Sequence, residues 1–275
     1  MKLIDYHIHC NYSIDNKNRI EDIIKYVSKG NFLDACIVTH LEFFSYGRSD
    51  INSIKPNHFS QYFKEIERFN KKFGQNVKIG IEVGYTPSLE EKIKGIINEY
   101  PFDFVLGSCH ALEGKTLFEE PIFKENSREQ VVAKYFDVIN KMIDSGIFDS
   151  IAHPDIFRHG KLVYGDFPFE FYKQNIKDMA SRLNHEKMCF EVNTNPYRAE
   201  PGKLPIYPCE EALKVLYKKG ARNVTLGSDA HTIERIGDKL PEVMAILNKI
   251  GFKNICTFNK RKGSNVSLSK LMAAK

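Results

Sequence analysis

The chain has 275 residues, of which 42% are hydrophobic and 27% charged, and carries a net charge of +5. This length suits one α/β barrel of about 250 residues better than two ordinary domains. No apolar stretch approaches the ~20 residues of a membrane span, and so modest a positive charge argues against a nucleic-acid partner.

Acid and histidine stand in Met1–His7 where a secretory leader would carry its apolar core, so no export is expected. The six cysteines, Cys10, Cys36, Cys109, Cys189, Cys209 and Cys256, form no CxxC pair. That excludes a zinc ribbon and fits a reduced, cytoplasmic protein better than a disulfide scaffold. The short basic run Lys260, Arg261 and Lys262 reads as a solvated face.

Short apolar segments alternate with stretches of helical period, the pattern of βα units around a parallel sheet. The first strand runs from Leu3 to His9, and Ile20, Ile23, Ile24 and Val27 then mark a helix face that stops at Gly30. A second strand, Asp34 to His40, precedes a helix marked by Phe59, Tyr62, Phe63 and Ile66 and ended by Gly74. Lys78 to Val83 leads into Leu89, Ile93, Ile96 and Ile97 before Pro101. Asp103 to His110 leads into a helix opened by the capping-box pair Ser127 and Gln130. Strands at Ser150 to His153, Met188 to Asn193 and Val224 to His231 complete seven, with helices over 168–185, 208–219 and 239–250. Asn254 to Phe258 is a candidate eighth. No repeat, linker or composition shift divides the chain, so 1–275 reads as one domain.

His7 and His9 end the first strand, and the two-residue period of a strand turns both imidazoles to one face. Asp229 and His231 repeat that spacing at the last. Either pair alone also suits packed polar residues. Their position decides, because His40, Glu82, His110 and His153 each fall at the C-terminal end of a different predicted strand, where a βα barrel gathers its active-site groups. Imidazoles and carboxylates without thiolate suit zinc, manganese or iron. His58, His159 and His185 lie outside the pattern and read as surface or locally bonded residues, and Cys10 and Cys109 as structural ones.

The His7-Ile8-His9 opening, Asp15, Thr39-His40, Glu82, Gly107-Ser108-Cys109-His110, Ala152-His153-Pro154 and Gly227-Ser228-Asp229-Ala230-His231 together resemble the PHP family, named for polymerase and histidinol phosphatase. The resemblance covers residue 3 to about 235, leaving 236–275 as a terminal helix and a short strand or tail. Within the family the order is most similar to the metal-dependent histidinol-phosphate phosphatases, a likeness that extends to the segment from Glu191 to Arg198. It implies a distorted seven-stranded barrel and two or three divalent ions. His7, His9, Glu82 and Asp229 would hold the first, with Glu82 bridging to a second on His110 and His153, and Asp15, His40 and His231 would hold a third. Asp15 departs from members with histidine there.

The implied activity is hydrolysis of a small phosphomonoester, most like L-histidinol phosphate, by water activated through coordination. Asp229 and His231 are the expected proton-handling groups. Arg158 and Arg198 are the expected phosphate clamps. Ser108 and Asn193 are further substrate-contact candidates, and Glu42 is the candidate partner of a substrate ammonium. A phosphotyrosine phosphatase, a nucleotide phosphodiesterase and a non-catalytic metal-binding barrel are the alternatives, since substrate choice lies in loops that the ligand pattern does not specify.

Overall fold

The computed structural model describes residues 1–13, 15–43, 53–160, 164–165, 167–195 and 206–274, with the side chains of Pro56 and His159 outside that set. Seven parallel strands follow one another around a barrel in sequence order. They are β1 (Leu3–His9), β2 (Phe32–Val38), β3 (Lys78–Gly84), β4 (Phe104–Ser108), β5 (Ser150–Ile151), β6 (Cys189–Asn193) and β7 (Val224–Gly227). A short extension of β2, His40–Leu41, pairs with β3 so that His40 lies beside Glu82. The ring closes through a parallel bridge between Ile8 and Ala230.

The helices lie between strands as their apolar spacing requires. In α1 (Ile20–Lys29) the four residues picked out by period are the buried ones. In α2 (Phe59–Phe73) Phe59, Tyr62, Phe63 and Ile66 are buried, and Gly74 ends the helix in a left-handed conformation at φ +63°. Ile93 and Ile97 bury the inner face of α3 (Glu90–Glu99). The capping box opens α4 (Arg128–Asp144): Ser127 Oγ accepts from the Gln130 amide, and Gln130 Oε1 accepts from Ser127 N at 2.7 Å. Then follow α5 (Phe169–Glu186), α6 (Glu210–Lys218) and α7 (Leu240–Ile250). None of the described helices is long and apolar enough to cross a membrane.

The candidate eighth strand exists but lies outside the barrel. β8 (Asn254–Asn259) pairs antiparallel with β9 (Lys262–Ser267), and a short helix, α8 (Leu268–Ala273), follows. This hairpin covers the N-terminal end of the barrel. Phe258 packs 5.1 Å from Phe104, and its backbone N–H donates to the buried Tyr6 hydroxyl at 2.8 Å. The basic run forms the hairpin turn. Lys260 and Lys262 are exposed, as a solvated face requires. Arg261 instead bonds the Asp149 carboxylate at 3.0 Å, and its backbone N–H donates to the Asp103 carbonyl at 2.9 Å. Both acids immediately precede barrel strands, so the turn is tied to the strand starts.

Several strands stop earlier than their hydrophobic runs suggest. β4 ends at Ser108, β5 at Ile151 and β7 at Gly227, which leaves His110, His153 and Asp229 in the following turns. His153 and Asp229 sit at φ +28° and φ +51°. Such left-handed backbone is uncommon away from glycine and ends regular pairing there.

Candidate metal centre

The eight residues singled out by position converge at the C-terminal end of the barrel, together with Asp15, which the family resemblance added. His7 and His9 are wholly buried, with Nε2 atoms 3.0 Å apart. Glu82, also wholly buried, places Oε2 3.3 Å from His7 Nε2 and 3.4 Å from His9 Nε2. Its other oxygen, Oε1, is 3.2 Å from His110 Nε2 and 3.1 Å from His153 Nε2, and those two nitrogens are 3.3 Å apart. Asp229 Oδ1 completes the first group, 3.6 Å from His7 Nε2 and 3.3 Å from His9 Nε2. In a third group Asp15 Oδ2 lies 3.5 Å from His40 Nε2 and 3.3 Å from His231 Nε2.

These donors fit divalent ions. Ligands held about 2.0 to 2.1 Å from a tetrahedral ion lie about 3.3 to 3.4 Å from each other. The observed separations bracket that value. Two facing imidazole nitrogens can share at most one proton, so lone pairs remain pointed at the same space. Glu82 Oε2 is buried among imidazole nitrogens, with His40 Nδ1 at 3.0 Å as well as His7 and His9, yet no well-aligned hydrogen bond reaches it among the described residues. A carboxylate in that position calls for a cation.

The electrostatics agree. Burial alone would lower the His7 pKa, but Glu191, Glu82 and Asp229 carry it well above its ordinary value. His110 is raised to about 9, burial being outweighed by Glu42 and Glu82. His40 is likewise driven well up, with Glu82, Asp15 and Glu42 overcoming burial. His9 moves the other way, to about 3, through burial and the neighbouring His231 and His40. Burial pushes Glu82 upward, yet His7, His110 and His40 hold it well below the carboxylate range. Without metal, the site stores protons on some of its imidazoles.

A cleft of about 300 Å³ opens over the cluster, with Phe118, Ile156, Asn195 and Tyr207 on its walls. His231 and Asp15 stand at its mouth with side chains 33% and 32% exposed, whereas His7 and His9 are wholly buried. His185 is 84% exposed beside Glu186, and His58 is also exposed, away from the cluster. Cys10 and Cys109 are buried.

Residues 5–195 match the PHP domain model. The chain belongs to the PHP family. A relative from Clostridium acetobutylicum described as "Probable histidinol-phosphatase" is 30% identical, with 94% of this chain and 98% of the relative covered. The histidinol-phosphatase of Lactococcus lactis is 26% identical over 95% of this chain and 96% of its own length. Among solved structures, histidinol phosphate phosphatase from Lactococcus lactis, complexed with zinc, L-histidinol and phosphate, superposes with a TM-score of 0.82 at 21% identity. That superposition covers 96% of this chain and 99% of the other, and shows the same PHP barrel fold.

Around the PHP cluster, several predicted contact residues hold other positions. Glu42 is buried rather than presented to solvent, and its Oε1 lies 2.7 Å from His110 Nδ1. Ser108 Oγ donates to the Val83 carbonyl at 3.1 Å and lies 3.3 Å from His110 Nδ1. Asn193 is fully buried, bonding Glu191 at 3.1 Å and the Asn195 amide at 2.8 Å. Glu42 and Ser108 brace His110, and Asn193 braces Glu191, instead of lining the cleft. Arg158 is also buried, with Nε 2.9 Å from Asp155 Oδ2 and its guanidinium 4.8 Å from the Tyr207 ring centre. It borders the cleft through Tyr207, and the preceding Asp155, one helical turn earlier, is the acid that draws it there. Arg198 lies outside the described residues.

Two residues beyond the predicted set matter. Glu191 Oε1 lies 2.7 Å from His7 Nδ1, and its Oε2 accepts the His153 backbone N–H at 2.9 Å. Asn195 donates from Nδ2 to Asp229 Oδ2 at 2.7 Å. The sequence holds a signal for Glu191. It alternates with Asn193 on β6, a polar pair on the inward face of a buried strand, where bonded partners are obligatory.

Proposed function

We propose that this chain is a metal-dependent phosphomonoesterase that hydrolyses L-histidinol phosphate to L-histidinol and phosphate. The observation that carries the reading is the Glu82 carboxylate, one oxygen facing His7 and His9 and the other facing His110 and His153. A carboxylate shared in this way is suited to two adjacent ions. Zinc, manganese and iron all match the donor set, and Asp15, His40 and His231 would hold a third ion. Bound ions supply Lewis-acid charge and lower the pKa of coordinated water from about 15.7 toward neutrality.

The chain's own residues supply orientation. Glu191 and Glu42 take the Nδ1 side of His7 and His110, which leaves Nε2 of each ring available to a metal. Asp229 directs Oδ1 into the cluster, while Oδ2 accepts from Asn195 at the cleft wall. Burial pushes the Asp229 carboxyl up, but His7, His9 and His231 hold it well below the carboxylate range, so it stands ionised at the cleft wall, where it and His231 would orient a proton-bearing water toward the departing alkoxide. Three divalent ions against the carboxylates of Asp15, Glu82 and Asp229 leave positive charge for a phosphomonoester dianion. Phe118, Ile156 and Tyr207 offer apolar surface to the remainder of a small substrate. Arg198 stays a candidate phosphate ligand on the sequence pattern alone. The whole of 1–275 acts as one domain, its C-terminal hairpin serving as the barrel's base.

The relatives favour histidinol phosphate over a phosphotyrosine or a nucleotide diester. A complete donor set supports catalysis over a merely structural metal site. The test is phosphate release from a panel of phosphomonoesters and bis-p-nitrophenyl phosphate, after metal stripping and reconstitution with zinc, manganese or iron. L-Histidinol phosphate is expected to give the highest kcat/KM, and His110→Ala to abolish turnover with the circular dichroism spectrum retained. Faster cleavage of the diester, or full activity after metal removal, overturns the assignment.

A further inference from the structure

Asp229 and His231 lie on the segment from Ser228 to Gly237, between the end of β7 and the start of α7. Both ends of that segment are held by one carboxylate, that of Asp5 on β1, which is wholly buried. Asp5 Oδ1 accepts the Ser228 backbone N–H at 2.9 Å, and Oδ2 accepts the Gly237 backbone N–H at 2.9 Å. Oδ1 also accepts the His7 backbone N–H at 3.3 Å. The outer end is closely seated. Gly237 has φ +78°, and an added Cβ would lie 2.9 Å from Phe32 Cζ and 3.1 Å from Leu3 Cδ1, at the starts of β2 and β1.

These bonds cross the seam where the barrel closes. β6 and β7 pair continuously, from Phe190 with Val224 to Asn193 with Gly227. Between β1 and β7 no such ladder forms among the described residues. There is the bridge at Ile8 and Ala230, made by the His9 N–H to the Ala230 carbonyl at 3.0 Å and the Ala230 N–H to the His7 carbonyl at 3.3 Å. The first group of metal donors nevertheless straddles this seam, with His7 and His9 on one side and Asp229 Oδ1, 3.3 Å from His9 Nε2, on the other. Asp229 also holds left-handed backbone, at φ +51°, which persists in a residue with a Cβ only where the surroundings fix it. Ser228, whose N–H Asp5 accepts, immediately precedes it.

We propose that Asp5 is a positioning residue for the metal centre, a clasp whose two oxygens fix both ends of the segment from Ser228 to Gly237 and so set Asp229 and His231 against His7 and His9. This role rests on the metal-dependent reading above and adds to it a residue outside the donor set. Asn at position 5 keeps the shape of the side chain but has one acceptor oxygen and two N–H donors. With its oxygen on Ser228, its NH2 opposes the Gly237 N–H. Turned round, it opposes the Ser228 and His7 N–H groups. Either way one end of the segment is released.

The experiment titrates metal-stripped wild-type protein and Asp5→Asn with zinc against a chelator, and with cobalt(II) followed by visible absorption. Asp5→Asn is expected to bind zinc about 10- to 100-fold more weakly and to change the intensity of the cobalt bands, because the donors on the released segment no longer hold their places. A residue that only stabilised the barrel would lower Tm and move neither readout. Arg261→Ala is the control, since it loosens the hairpin at the opposite end of the barrel. It should lower Tm with wild-type zinc affinity and cobalt spectrum, and if it weakens zinc as much as Asp5→Asn does, stability alone accounts for the effect and the proposal fails. Unchanged zinc affinity and cobalt spectrum in Asp5→Asn overturn the clasp. Where that variant does not fold, Gly237→Ala, which displaces the outer end without touching a metal donor, decides by the same two measurements. Wild-type protein that takes up neither ion overturns the metal-dependent reading itself, and the clasp with it.

Discussion

Glu191→Gln isolates the role of a residue that never enters the cleft. Glu191 Oε1 takes the His7 Nδ1 side at 2.7 Å, while Oε2 accepts both His153 N–H at 2.9 Å and Asn193 Nδ2 at 3.1 Å. Glutamine has the same shape but only one acceptor oxygen. If its NH2 faces His153, two or three donors are buried against each other. If it faces His7, the imidazole must move its proton to Nε2, where it blocks metal binding. Loss of a hydrogen bond to a charged group costs about 1.5 to 3 kcal/mol, which in a chain of this size lowers Tm by roughly 3 to 12 °C. The metal effect of removing such an orienting partner is about 10- to 100-fold in affinity. Competition against a chelator at fixed pH gives the affinity, and thermal denaturation of the stripped protein gives the stability. Wild-type metal affinity together with wild-type kcat at saturating metal would refute the orienting role.

Gly227→Ala should damage the same contact from the opposite side. A Cβ there would meet the Glu191 carboxylate and come within 2.5 Å of His7 Cβ. Such overpacking costs about 1 to 3 kcal/mol, and activity should fall with metal content, as read by elemental analysis of the purified variant. Metal uptake should also release protons. His7, His40 and His110 have raised pKa values, His110 to about 9, so the stripped protein at pH 7 holds protons there that a metal must displace. Lowering the pH favours the protonated imidazoles and weakens binding. Calorimetry of zinc binding at pH 7 in buffers of different ionisation enthalpy measures the released protons, and a heat independent of the buffer contradicts this protonation pattern.

The metal cluster was legible because its signal is positional. Ligands at or near the ends of six of the seven barrel strands need only the strand pattern to be noticed, and His7 with His9 shows the two-residue period directly. The bracing residues were harder. Glu42 follows His40 in a segment that reads as loop, and its burial depends on Gly84, where an added Cβ would come within 2.6 Å of the Glu42 carboxyl carbon. Arg158 reads in the sequence as a phosphate clamp, a reading that does not register Asp155 as its partner. For Lys260, Arg261 and Lys262, composition reports charge but not that Asp103 and Asp149 wait at the strand starts. Each of these outcomes depends on a contact between residues remote in sequence or on which of two nearby partners wins.

The strand ends explain why ligation and backbone conformation are coupled here. Were β5 and β7 to continue to His153 and His231, alternation would govern where Asp229 and His153 point. Instead both residues adopt left-handed backbone, at φ +51° and +28°, which breaks the alternation and turns their side chains into the cluster. For a residue with a Cβ this conformation costs on the order of 1 to 3 kcal/mol, so something in the surroundings must hold it. At His153 that support is Glu191 Oε2, accepting the backbone N–H that strand pairing no longer uses. The same carboxylate orients His7 through its other oxygen. Glu191 therefore joins the strained turn that delivers His153 after β5 to the His7 imidazole on β1, so that displacing either one disturbs both halves of the centre.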